Sequence, residues 1–156
     1  MKAAQGVAIA PPSTSTVVLV GLAERDQNFL QELFESSSGL PAADCQWFVQ
    51  SRASVPSTIA ALRHTRIEVV LCDRDLMPNA WKELLEQFAC LKQPPCLIVT
   101  SRLADDHLWA EALNLGAYDV LARPFDRAEV LRTVCLARQQ WHNRHVSAPK
   151  VMRSVA

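Results

Sequence analysis

Ile67-Glu-Val-Val-Leu-Cys-Asp73 is a short, β-branched, largely apolar run closed by an acid. A run of that length and composition reads as a strand buried on both faces, with Asp73 at its C-terminal end. In an open parallel α/β sheet, ligands and chemistry collect at that end of the strands. Two later stretches have the same form. Cys96-Leu-Ile-Val-Thr100 ends on a hydroxyl, and Val120-Leu-Ala-Arg-Pro-Phe125 carries the cation Arg123 just past an apolar run. An acid, a hydroxyl and a guanidinium at three strand ends have the form of a phosphoacceptor site.

Working outward, the chain alternates strand and helix. Val17-Val-Leu-Val20 reads as a first buried strand, followed by a helix over 26–34 with Phe29, Leu30, Leu33 and Phe34 at helical spacing. The run Ser36-Ser-Ser-Gly39 stops it. Residues 45–49 read as a second strand and 57–66 as a helix with Ile59 and Leu62 inward. After the third strand, 67–72, a helix starts near Pro78-Asn79 and lines up Trp81, Leu84, Leu85, Phe88 and Leu91. The fourth strand, 96–100, leads to a helix over 105–115 carrying Leu108, Ala112 and Leu115, with Gly116 as its C-cap. The fifth strand, 119–122, precedes a helix opened by Asp126-Arg-Ala-Glu129, a variant of the capping box, with Val130, Val134, Ala137 and Trp141 in line. This last helix runs on towards His145. The order is (βα)5, which implies a doubly wound five-stranded parallel sheet with helices on both faces.

Residues 1–15, with Pro11-Pro12, read as a flexible leader, 16–140 as the domain, and 141–156 as a helix extension and frayed tail. A chain of 156 residues suits one domain with a proper core. Sixteen basic residues balance sixteen acidic ones, so bulk charge gives no reason to expect nucleic acid or an anionic membrane as partner. No apolar run approaches the roughly 20 residues of a membrane helix. The five cysteines are odd in number and form no C-x-x-C pair, which suits free thiols in a reducing cytoplasm. His142 and His145 share a helix face, but no further ligand completes a metal set, and they read as surface polarity.

Over about residues 16–138 the chain resembles the receiver domain of bacterial two-component response regulators. The matching marks are Asp73, Pro78, Val99-Thr100-Ser101, Gly116-Ala117 and Ala122-Arg123-Pro124-Phe125, the last similar to the family's Lys-Pro-Phe signature. The resemblance implies a flavodoxin-like sheet in the order 2-1-3-4-5 and a phosphoryl group received on Asp73 from a histidine kinase. It implies that Thr100 and the cation at 123 turn towards that group, and that the peptide bond before Pro124 is cis. It also implies Mg2+, held by Asp73, a backbone carbonyl two residues on, and two acids after the first strand.

The departures concern that pocket. Gly21-Leu22 stands where the acidic pair belongs, and neither residue has a side-chain oxygen for a hard cation. Glu24, Asp26 and Asp75 are the nearby acids able to substitute. Arg123 replaces Lys with a planar fork suited to pairing carboxylates, so an Arg123–Asp73 ion pair is expected to satisfy the acid in place of Mg2+. The loop from Asp73 to Pro78 is one residue longer than the family's usual pattern. The aromatic of the last strand is replaced by Val120. Tyr118, two residues earlier, is expected on the same face but at the far end. Thr100 reads as a strand-end hydrogen-bonding residue or as a switch hydroxyl.

Three functions follow. The first is a single-domain receiver that passes a signal by protein contact through Asp73. The second is a pseudo-receiver that binds partners independently of phosphorylation. The third, disfavoured, is a small α/β enzyme or flavin module. The first βα turn, Gly21-Leu-Ala-Glu-Arg-Asp26, lacks the glycines that bring backbone to a phosphate, and no nucleophilic triad is arranged. The expectation is therefore a non-enzyme. The roughly 15 residues after the domain are too few for a helix-turn-helix. The partner is expected to be a histidine kinase, another signalling protein or a second copy, with the long last helix as the dimer candidate. Trp109 and Trp141, where exposed, are the candidate interface anchors.

Overall fold

The computed structural model describes residues 13–36 and 45–147. Residues 1–12 of the expected 1–15 leader, most of the 36–39 stop and the tail from 148 lie outside the described residues, while residues 13–15 of that leader are corrected to strand, paired along β2. Among those described, the strands are β1 (Ser13–Val20), β2 (Cys45–Arg52), β3 (Val69–Asp73), β4 (Cys96–Ser101) and β5 (Asp119–Ala122). The helices are α1 (Glu24–Glu35), α2 (Val55–His64), α3 (Ala80–Phe88), α4 (Asp106–Leu115) and α5 (Arg127–His142). All strand pairs are parallel, in the order β2-β1-β3-β4-β5. This is the doubly wound, flavodoxin-like sheet that the sequence implied.

Period-two alternation divides each central strand between two apolar layers. Val17, Leu19, Val69, Leu71, Ile98 and Leu121 face one layer, which Leu30 and Leu33 of α1 and Val130, Val134 and Ala137 of α5 complete. Val18, Val20, Val70, Cys72, Leu97 and Val99 face the other, closed by Val55 of α2, Trp81 and Leu84 of α3, and Leu108 and Ala112 of α4. Burial on both faces is why these strands read as continuous apolar runs rather than alternating ones. Among the described residues no helix is long and apolar enough to cross a membrane.

Several boundaries differ from the sequence reading. β1 begins at Ser13, ahead of the expected Val17, because residues 13–16 extend the ladder with β2. α2 begins two residues early. The Ser54 side chain accepts from the Ser57 amide at 3.2 Å and a proline occupies the first turn. β3 is entered at Val69 rather than Ile67, because the buried Glu68 carboxylate takes the Thr16 amide that a backbone carbonyl would otherwise accept, at 2.9 Å.

Three packing expectations are corrected. Tyr118 precedes β5 and packs in the layer opposite to Val120, so the two do not share a face. Leu115, at the end of α4, stays half exposed, while Gly116 takes the left-handed C-cap conformation as expected. His142 and His145 are not surface polarity. Both rings lie against Trp141, at centroid distances of 5.3 and 4.8 Å, and both are partly buried.

Candidate functional site

The strand ends bring Asp73, Thr100 and Arg123 together at one rim of the sheet. Register explains it: Asp73 is paired with Thr100 across β3 and β4, and Ser101 with Ala122 across β4 and β5. Arg123 then follows directly, its amide donating to the Ser101 carbonyl at 3.0 Å.

Both oxygens of Asp73 are occupied, and the residue is 1% exposed. Oδ1 accepts from the Thr100 hydroxyl at 2.8 Å and lies 3.0 Å from Arg123 Nε. Oδ2 accepts from the Leu76 amide at 3.0 Å and from Arg123 Nη2 at 3.4 Å. The ion pair expected from the Arg-for-Lys replacement therefore forms. Its guanidinium reaches further. Nη1 donates to Asp26 Oδ2 at 3.2 Å, and Nη2 pairs with Asp75 Oδ2.

Each partner is placed by its own element. Asp26 sits in the first turn of α1, whose approach is fixed by Gln27 Nε2 donating to the Leu22 carbonyl at 2.7 Å. Phe29 stacks on Phe125 with ring centroids 6.1 Å apart, which holds α1 against the loop carrying Arg123. Pro124 follows Arg123 through a cis peptide bond, as the resemblance implied. Of the three substitute acids, Asp26 and Asp75 join the cluster. Glu24 does not, since two residues along a helix is more than half a turn away, and it is exposed.

Asp75 is the most heavily bonded of them. The Ser101 hydroxyl donates to its Oδ1 and the Arg102 amide to its Oδ2, each at 2.8 Å. Partial burial pushes its carboxyl up. The Arg102 amide, the Ser101 hydroxyl and the Arg123 guanidinium outweigh that and hold it below its ordinary 3.8. Cys72, next to Asp73, is pushed up to about 12 by burial and by the Asp73 charge, which leaves an inert thiol.

The donors at this rim do not fit the Mg2+ that the resemblance implies. Mg2+ takes oxygen ligands in near-octahedral geometry. Gly21 turns at φ +70° beneath the Met77 side chain, which fills the space a Cβ would need, and Leu22 is buried. The three carboxylates that reach the rim all pair with the single Arg123 guanidinium. Among the described residues no group of three or more His, Cys, Asp or Glu side chains is disposed to hold a metal.

Sequence reasoning missed Ser101 and Met77. Ser101 was legible only as part of a motif, and nothing in the spacing placed the Met77 thioether over Gly21. It also missed Glu68 at the opposite rim, although this is the one acid inside the 67–72 run. Glu68 is buried, with Arg66 Nε at 3.4 Å and His142 Nε2 at 3.9 Å. Trp141 is corrected as an interface candidate. It is 2% exposed, with the Arg66 guanidinium 4.8 Å from its ring centroid. Trp109 is half exposed, its indole nitrogen donating to Asp119 at 3.3 Å.

Comparison of the whole fold with solved structures decides its class. The N-terminal signal receiver domain of a two-component response regulator from Bacteroides fragilis superposes with a TM-score of 0.66 at 23% identity, covering 81% of this chain and 98% of that one. The fold is that of a receiver domain. The chemotaxis response regulator CheY4 of Vibrio cholerae is similar at a TM-score of 0.66 and 13% identity, covering 80% and 99%. The signal receiver domain of an HD domain-containing protein from Pseudomonas fluorescens Pf-5 gives 0.65 and 19%, covering 83% and 98%. No family model and no curated protein matches the sequence.

Proposed function

We propose that this chain is a pseudo-receiver, a signalling module that acts by protein contact and keeps the receiver fold without using Asp73 as a phosphoacceptor. One observation carries the reading: the Arg123 guanidinium pairs with the buried Asp73 carboxylate, and hydrogen bonds fill the rest of that carboxylate's valence. Attack on a phosphorus donor needs a carboxylate oxygen that is free and reachable. Here both oxygens are engaged and the residue is closed to solvent. An acyl phosphate at Asp73 would also add up to two negative charges beside Asp26 and Asp75, with a single cation to offset them.

The receiver likeness supports signalling through protein contacts, with a histidine kinase or another signalling protein as partner class. The exposed Leu103 just after β4 and the half-exposed Trp109 on α4 suit such contacts, and contact rather than turnover is the mode of action. The test is intact mass after incubation with a small acyl phosphate donor and Mg2+, for the parent and for Asp73→Asn. The parent is expected to stay unmodified at every Mg2+ concentration. A single phosphoryl adduct in the parent, missing from Asp73→Asn, would restore the working receiver.

A further inference from the structure

Asp75 occupies a site with the donor set of an oxyanion pocket. Three strand ends meet there: the Ser101 hydroxyl at the end of β4 with the Arg102 amide just after it, and the Arg123 guanidinium after β5, close on a carboxylate that follows β3. The Ser101 hydroxyl has a fixed direction. Its oxygen accepts from the Leu103 amide at 3.0 Å, so its one proton is committed to Asp75. Ser101 is fully buried, and the Asp75 side chain is 30% exposed. Charge-assisted bonds of this kind from a hydroxyl, an amide and a guanidinium are the ones that hold oxyanions.

We propose that Asp75 is an intramolecular oxyanion that holds these three strand ends together, and that removing its carboxylate leaves a site for a small external oxyanion of the carboxylate or phosphate class. The inference rests on the pseudo-receiver reading, and supplies the device that fixes the loop after β4 without phosphorylation. That loop bears the exposed Leu103 and leads into α4, so Leu103 and the start of α4 are set in one arrangement. Once Asp75 is gone, Arg123 still faces Asp26 and Asp73, so the vacated site favours a monoanion over a dianion.

The test is thermal unfolding of the parent, Asp75→Ala and Asp75→Asn in formate, and in phosphate, against chloride at matched ionic strength. Formate at about five times its Kd is expected to raise the midpoint of Asp75→Ala by about 2–4 °C. It is expected to leave the parent and Asp75→Asn unmoved, because a side chain fills the space in both. Phosphate is expected to act more weakly. A folded Asp75→Ala that does not respond to formate, or a parent that responds equally, overturns the proposal.

If Asp75→Ala does not fold, amide exchange of Arg102 and Leu103 in Asp75→Asn serves instead. Exchange at least ~10-fold faster than in the parent, with the rest of the sheet still protected, supports the lock; unchanged rates overturn it. The two readings fail separately. A formate-blind Asp75→Ala beside an adduct-free parent removes this inference alone. A phosphoryl adduct on the parent beside a formate-responsive variant removes the pseudo-receiver reading and leaves the site.

Discussion

Arg123 is the residue on which the pocket turns. An ammonium at this position would present one point charge, whereas the guanidinium fork touches three carboxylates at once. The replacement was visible in the sequence, and so was its pairing with Asp73. The commitment of Asp75 was not, because it depends on where the loops after β4 and β5 meet. Two acids give opposite pH signatures. Asp75 has its folded pKa depressed, so its contribution is present above pH 3.8 and lost as pH falls through the folded value. The stability difference between the parent and Asp75→Asn, from urea titrations, is therefore expected to shrink as the solution is acidified below 3.8. Glu68 has its pKa raised from 4.5 by burial, against the Thr16 amide and the Arg66 charge. Its charged form is disfavoured in the fold, so stability declines as pH rises from 4.5 through the folded value. Glu68→Gln is expected to gain on the parent over that interval. A flat difference would show that Arg66 and the neighbouring charges fully compensate the burial.

At the scale of elements, the apolar strands and helix stripes were legible because each buried strand is a continuous apolar run and each helix has one apolar face. The polar start of β1 was not legible. Residues 13–16 of the chain, Ser-Thr-Ser-Thr, look like linker, and only the ladder with β2 makes them a strand. Trp141 shows the limit on the helix side. Its position in the α5 stripe was clear, but not whether the end of the helix is covered. Arg66, His142 and His145 cover it. Trp141→Ala is therefore expected to destabilise the fold by about 3–5 kcal/mol, as for other buried aromatics. Trp109→Ala, on the half-exposed face of α4, is expected to change stability by no more than roughly 0.5–1 kcal/mol. Thermal melts of the two variants side by side check the contrast. Equal losses would place both rings in the same environment and run against the fold.

At the scale of the whole molecule, the two apolar layers fix the sheet, and the sheet fixes which loops meet. The (βα)5 order was readable because alternation and short connections leave few topologies, while the strand order 2-1-3-4-5 was implied by the receiver resemblance. What the pocket does was only half readable. Gly21 and Leu22 offered no side-chain oxygen to the rim, but nothing in them told that a guanidinium and an internal carboxylate fill it. The claim that decides function is that Asp73 and Arg123 are energetically one unit. A double-mutant cycle in stability, with Asp73→Asn, Arg123→Gln and both together, measures it. Arg123→Gln is expected to cost about 3–5 kcal/mol, because it strands the buried Asp73 charge, and Asp73→Asn is expected to cost less, because Arg123 keeps Asp26 and Asp75. The pair is expected to cost less than the sum, with a coupling of about 1–3 kcal/mol. Losses that add to within ~0.5 kcal/mol would mean that Asp73 and Arg123 stand side by side without holding one another, and the locked pocket would be lost with them.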